Sequence, residues 1–256
     1  MIFSDRVDRN ISKMRALLQG QSPPLGLKSL CPHVKTVKSQ WAVKRLMSAG
    51  ISFFKCSLNE LDLLLQAGAK EILIAYPLLS ADAEMVLERK KTFPQSTIYV
   101  QISHPQHLQI LENFQTTWDC YLDVNVGMNR TGITPENVWS LYSCMIDAKK
   151  FKFAGIHAYD GHVQHLDMKA RHREAAKAMA LVLDAVRALT DKGVLVENTI
   201  VSGTPGFLLD AEWLCRQPMM TNFIFSPGTW IYSDTITNAL LPDTFELAAL
   251  LLTQVV

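Results

Sequence analysis

The sequence is short of the features that would settle its class at a glance, and each shortage excludes something. Five of its 256 residues are cysteine (Cys31, Cys56, Cys120, Cys144, Cys215), with no C-x-x-C pair among them. An odd number without paired spacing argues against a disulfide framework or structural zinc site and for reduced, mostly buried thiols, so the expected compartment is cytoplasmic. Charge of one sign is also lacking: 25 basic against 24 acidic residues leave +1, and no basic stripe is interleaved with aromatics, so nothing points to nucleic acid. No apolar run is long enough to span a bilayer, and Asp5, Arg6, Asp8 and Arg9 make the start too charged for a secretory leader, so no membrane partner is expected. A G-x-G-x-x-G after the first strand-like run is missing too, which weakens the case for an open doubly wound sheet.

What the sequence does contain is a repeated unit: a short run rich in β-branched and aromatic residues, a loop, and an amphipathic helical stretch. Strand-like runs lie near Leu27–Pro32, Ile51–Cys56, Glu71–Tyr76, Thr97–Ile102, Cys120–Val124, Phe153–Ala158, Thr199–Ser202 and Asn222–Phe225. Helical patterns fall between them at Gln40–Ala49, Leu58–Ala67, Ala81–Lys91, Glu136–Ala148 and Asp167–Lys192, the last with a stripe of Ala178, Leu181, Val182, Ala185 and Leu189. Most of the strand-like runs are continuously apolar, as in a parallel sheet covered on both faces, and eight such units predict an α/β protein of the (β/α)8 TIM-barrel kind.

In such a barrel the chemistry sits at the C-terminal strand ends, with phosphate held after the last two strands. Cys31-Pro32-His33-Val34-Lys35-Thr36 places a lysine, a Schiff-base candidate, where the first strand meets its loop. The fifth strand leads into Asp123 through Gly132 with Arg130, and the sixth into His157-Ala-Tyr159-Asp-Gly161-His162-Val-Gln-His165. After the seventh and eighth come Ser202-Gly203-Thr204-Pro205-Gly206 and Ser226-Pro227-Gly228-Thr229, whose small residues let backbone N–H groups approach a phosphate. Either loop alone would read as ordinary turn chemistry; the two together, at the two expected strand ends, favour phosphate.

These motifs resemble the fold-type III pyridoxal-phosphate enzymes, and specifically the family joining D-threonine aldolase and D-serine dehydratase to the alanine racemase N-terminal barrel. The family's Arg-Pro-His-x-Lys-Thr is similar to residues 31–36, its acidic-x-Asp-x-Gly-x-x-Arg-x-Gly to 123–132, and the aldolase-type Gln-Ala-Tyr-x-Gly-His-x-Gln-His to 157–165. The resemblance implies that Lys35 holds pyridoxal 5'-phosphate and acts as a catalytic base, and that His33 orients its loop. It implies further that Arg130 faces the cofactor's phenolic oxygen, Tyr159 lines its ring or pyridine edge, and Ser202, Gly203, Thr204, Gly228 and Thr229 take the phosphate. His162 and His165, three residues apart near a strand end, leave three readings open: metal binding, a base toward a substrate hydroxyl, for which His162 is the candidate, or hydrogen bonds to loop carbonyls. No metal ligands are assigned within this chain, although full-length relatives carry a divalent-metal site in a C-terminal β domain.

The chain departs from the family pattern at Cys31 (an arginine there), Asn125 (aspartate), His157 (glutamine), Ser226 (arginine) and Trp230 (tyrosine). It also stops where relatives continue into the β domain, so residues 1–240 are expected to form the barrel and 241–256 a stub of that missing domain, with Leu247–Val256 as an exposed apolar tail. A fragment, a degenerate gene product and a barrel completed by a partner are the expected explanations, with a homodimer as the candidate assembly. The implied activity is retro-aldol cleavage of D-threonine or a related small-molecule D-3-hydroxy amino acid to glycine and an aldehyde. The alternatives are a D-serine dehydratase-like lyase and a non-catalytic barrel that binds and carries the cofactor. A metal-dependent hydrolase built on His157, His162 and His165 would need carboxylate ligands that the other strand ends do not offer.

Overall fold

Seven of the eight apolar runs become strands. The computed structural model describes residues 1–218 and 220–254. Within them lie β1 (Phe53–Cys56), β2 (Glu71–Ile74), β3 (Thr97–Ile102), β4 (Trp118–Val124), β5 (Phe151–Ala158), β6 (Asn198–Val201) and β7 (Asn222–Phe225), hydrogen-bonded in sequence order. Every pair is parallel. The helices are α1 (Ser4–Gln19), α2 (Gln40–Ala49), α3 (Leu61–Ala67), α4 (Ser80–Thr92), α5 (Pro105–Glu112), α6 (Val138–Asp147), α7 (Met168–Thr190), α8 (Phe207–Leu214) and α9 (Thr235–Leu240). Local chemistry sets their ends. Ser39 caps α2 through the Ala42 N–H and Gly50 closes it at φ +112°, while Asp167 starts α7 by accepting from the Ala170 N–H at 2.7 Å.

The expected first strand, Leu27–Pro32, is the exception: Leu27–Ser29 is a single 3-10 turn. Proline has no N–H to give a ladder, and only isolated parallel bridges survive around Pro32, from Leu30 to Phe225 and from His33 to Lys55. The Cys31 N–H donates to Phe225 O at 2.7 Å and the Lys55 N–H to Pro32 O at 3.0 Å, so one short segment is bonded to both edge strands. Among the described residues the architecture is therefore a curled parallel sheet of seven strands, one fewer than the eight expected.

Alternation sorts the strand residues into two cores. Phe54, Cys56, Ile72, Ile74, Val100, Leu122 and Phe225 pack with the helices outside the sheet. Cys31, Phe53, Leu73, Tyr121, Ile200 and Ile224 pack with one another inside the curl. Residues 241–250 fold back on α1: the Phe3 N–H donates to Ala248 O at 2.8 Å, Ala249 bridges Ile2, and Asn10 binds the Glu246 backbone on both sides. Of the tail expected to be exposed, Leu247–Val256, only Ala248 is buried among the described residues, while Leu250, Leu251 and Leu252 are exposed; Val255 and Val256 lie outside the described residues.

Candidate active site

Following the inner faces toward the C-terminal ends, the side chains turn from apolar to polar. Phe53 is succeeded by Lys55, Tyr121 by Asp123, Ile200 by Ser202, Ile224 by Ser226 and Cys31 by His33, each two residues further along its segment. His157 joins them because β5 carries a bulge: Cys120 pairs with Phe153 but Tyr121 with Gly155, so Ala154 is an extra residue. Phe151 and Phe153 pack with the outer core, and unbroken alternation would send residue 157 outward with them. The inserted residue reverses the phase and turns His157 inward. Only glycine fits at 155, where φ is +145° and a Cβ would stand 2.0 Å from Asn198 O.

These ends surround a cavity of about 470 Å3. Of the residues expected there, His33, Lys35, Arg130, Tyr159, Gly203, Thr204, Gly228 and Thr229 all line it. Lys35 is exposed, on a 3-10 turn whose preceding residue, His33, accepts the Lys35 N–H through Nδ1 at 3.2 Å. Burial, reinforced by the charge of Lys55, pushes the His33 pKa down to about 2, so its ring is neutral. Arg130 extends from a self-closed loop in which Asn125 Oδ1 takes the N–H groups of Gly127 and Asn129, each at 3.1 Å. Its guanidinium lies over the Tyr159 ring, 5.0 Å from the centroid.

A second lysine, passed over in the sequence, lies deeper. Lys55, 2% exposed on β1, brings Nζ to 3.2 Å from His157 Nε2 and 5.2 Å from the Tyr159 centroid. His157 Nδ1 is 2.7 Å from Asp123 Oδ1, and Ser103 Oγ donates to the other Asp123 oxygen at 3.1 Å. A carboxylate only accepts, so the imidazole proton sits on Nδ1 and the Nε2 lone pair faces Lys55. Burial brings Lys55 down from 10.5 to about 8. It also holds His157 below the usual histidine value, with the Lys55 charge adding to the effect and Asp123 opposing it. The signal for Lys55 was a lone charge in the apolar run Phe53-Phe54-Lys55-Cys56, at an inward register.

The two glycine loops serve their own packing as well as any ligand. Thr204 Oγ1 accepts the Gly228 and Thr229 N–H groups, both at 3.0 Å, so these two donors already converge on one oxygen atom. The Gly203 N–H is taken by Asp160 Oδ1 at 2.8 Å. A Cβ on Gly228 would stand 2.4 Å from His33 O, so glycine there also admits the lysine loop. Beneath Gly206, oxygens of Asp160 and Asp210 lie 2.8 and 3.2 Å from where its Cβ would be. Burial raises both acids, Asp210 further because Asp160 adds its charge, so the pair retains a proton on Asp210.

Other expected residues fall outside the cavity lining. Ser202 is fully buried at φ +75°. His162 packs against Gly127, with Nδ1 buried and unpartnered among the described residues, so the geometry gives no support to a catalytic role for it. His165 is paired with Glu174. Lys38, the nearest competitor of Lys35 in sequence, is tied to Glu60 at 2.8 Å. Among the described residues no three His, Cys, Asp or Glu side chains come together as a metal site, and no helix is long and apolar enough to cross a membrane.

The family profile described as alanine racemase, N-terminal domain, matches residues 2–234. A 3-hydroxy-D-aspartate aldolase of Paracoccus denitrificans (strain Pd 1222) is 26% identical over 217 residues, covering 81% of this chain and 54% of that protein. The chain therefore spans about half the length of that curated relative. Among solved structures, D-threonine aldolase from Filomicrobium marinum superposes with a TM-score of 0.82 at 23% identity, covering 97% of this chain and 67% of that one. D-threo-3-hydroxyaspartate dehydratase from Delftia sp. HT23 gives 0.76 at 20%, covering 93% and 62%. At these identities the structural likeness speaks for the fold.

Proposed function

Since the chain belongs to the alanine racemase N-terminal domain family, whose members of this kind are pyridoxal-phosphate enzymes, we propose that it forms the cofactor barrel of a lyase acting on D-3-hydroxy amino acids. One observation carries the reading: the Pro32-His33-Val34-Lys35 turn, Arg130, Tyr159 and the loops after β6 and β7 all open onto one cavity. On this reading the Leu30–His33 segment is a reduced first strand, and residues 1–240 are the extent of a (β/α)8 barrel.

The residues present suit the cofactor. The Gly228 and Thr229 N–H groups already converge on the Thr204 hydroxyl and would turn to the phosphate together with it. Gly203, whose N–H is held by Asp160, would contribute the absence of a side chain at the cavity wall, and Arg130 can fork two donors onto a phenolic oxygen. Bound there, pyridoxal phosphate supplies an electron sink for the pair released when Cα–Cβ breaks. Lys35 Nζ is the amine that would hold it. Lys35 is exposed on a turn and free of any carboxylate partner among the described residues, so its amine is available to a cofactor in the cavity. Neutral His33 accepts a backbone N–H rather than a substrate proton, and so positions the turn.

Product analysis tests this. With pyridoxal phosphate added, the chain is expected to release glycine and an aldehyde from D-threonine or 3-hydroxy-D-aspartate and to spare the L isomers. Ammonia with a 2-oxo acid would instead identify a dehydratase. Cofactor binding with no product from either substrate would identify a carrier and overturn the lyase reading.

A further inference from the structure

We propose that Lys55 is a second carbonyl-reactive nucleophile, activated by His157 and Asp123, which captures small aldehydes independently of the cofactor. Three observations carry this. Lys55 Nζ lines a cavity whose rim includes the exposed side chains of Lys35, Tyr76 and Arg130, so a small molecule can reach an amine that bulk water barely touches. The amine has no carboxylate within ion-pair distance among the described residues; its one hydrogen-bond partner there is His157 Nε2, at 3.2 Å. That nitrogen is a lone pair held in place by Asp123, 2.7 Å behind the ring. A nucleophile within hydrogen-bond reach of a base, with the base oriented by a third group, is the arrangement that activates weak nucleophiles. Desolvation works the same way, because burying an ammonium favours the free amine. No element of the cofactor reading uses these three side chains.

The step balances. Lys55 passes one proton to His157 Nε2, and its lone pair adds to the aldehyde carbon while the carbonyl π electrons move to oxygen. That oxygen takes one proton from the nitrogen and a second from His157 and leaves as water, giving a protonated C=N bond on Nζ with His157 neutral again. Asp123 carries the opposite charge while His157 is protonated.

The test is reductive trapping on the protein without added cofactor. Acetaldehyde and cyanoborohydride at neutral pH leave N-ethyl-lysine wherever a carbonyl adduct forms, and peptide mass spectrometry reads each lysine separately. Labelling of Lys55 is expected to run at least about tenfold faster than that of the exposed references Lys169 and Lys177, because bringing an amine down from 10.5 to about 8 raises its free base at neutral pH by more than that factor. Labelling of Lys55 no faster than the references would overturn the proposal in the wild-type protein, without any variant. His157→Gln separates the relay from mere packing, since the amide oxygen can still accept from Lys55 but cannot take its proton. The rate at Lys55 should then fall about tenfold with Lys169 unchanged; an unchanged rate at Lys55 would contradict activation by His157. Because no cofactor is present, these outcomes are independent of whether the site is a D-amino acid lyase.

Discussion

His157 turns a lone pair, not a proton, toward Lys55, 3.2 Å away inside the curled sheet, because Asp123 claims the other ring nitrogen at 2.7 Å. A buried amine held only by a neutral ring costs stability wherever it is charged. Lys55 sits at about 8 in the fold against 10.5 when free. The fold therefore binds fewer protons than the unfolded chain between those values, so this group's stability contribution is present above 10.5 and lost as pH falls through 8.

Lys55→Met is accordingly expected to stabilise the protein at pH 7. The linkage is worth at most about 3 kcal/mol. Roughly 1 kcal/mol is offset by the donor that His157 loses, leaving a net gain on the order of 1–2 kcal/mol. Urea denaturation at pH 7 and pH 10.5 reads both arms: the gain should disappear at the higher pH, and a variant less stable than wild type at pH 7 would contradict the account.

The acid pair beneath the β6 loop has the opposite sign. Asp210 is raised well above the ordinary 3.8 by burial and by Asp160, so its contribution is present below the unfolded carboxylate pKa and lost as pH rises through the folded one. Asp210→Asn keeps the size and polarity of the side chain and removes the titration. The variant should match or exceed wild-type stability at pH 8, with the difference shrinking toward pH 4. A constant difference across that range would mean that Asp210 does not hold the proton.

Glycine-to-alanine changes in the two loops should differ from each other. Gly228→Ala drives a Cβ into the His33 carbonyl at 2.4 Å, backbone against backbone, whereas Gly203→Ala meets the Tyr159 ring at 3.1 Å, where a side chain can yield. The first is expected to cost roughly 1–3 kcal/mol and the second less. Both should weaken pyridoxal phosphate more than dephosphorylated pyridoxal, as measured by absorbance titration on folded protein. Equal losses for the two ligands would mean that these loops do not hold phosphate.

Much of this organisation was legible in the sequence because periodicity and strand-end position are local signals. Thr97–Ile102 and Asn222–Phe225 are strands at the expected bounds, and Gln40–Ala49 is a helix at its own. The Leu27–Pro32 run misled because its composition is strand-like while Pro32 cannot complete a ladder. The cavity gathers Lys35, Arg130, Tyr159 and both glycine loops from segments far apart in the chain, and only the order of strand ends could forecast that. Lys55 left a signal in its lone charge within the apolar run Phe53-Phe54-Lys55-Cys56, whereas the inward turn of His157 was out of reach for a physical reason: it depends on one extra residue in β5, at Ala154, which no composition reveals.

The central claim is that Lys35 is the amine that holds the cofactor, and the most direct measurement is to incubate the protein with pyridoxal phosphate, reduce with borohydride, digest, and locate the pyridoxyl mass. Anchored by its phosphate at the loops after β6 and β7, the cofactor should be recovered on the Lys35 peptide and be lost in Lys35→Ala. Recovery on Lys55 or Lys38 with Lys35 unmodified, or no recovery on any lysine, would contradict it.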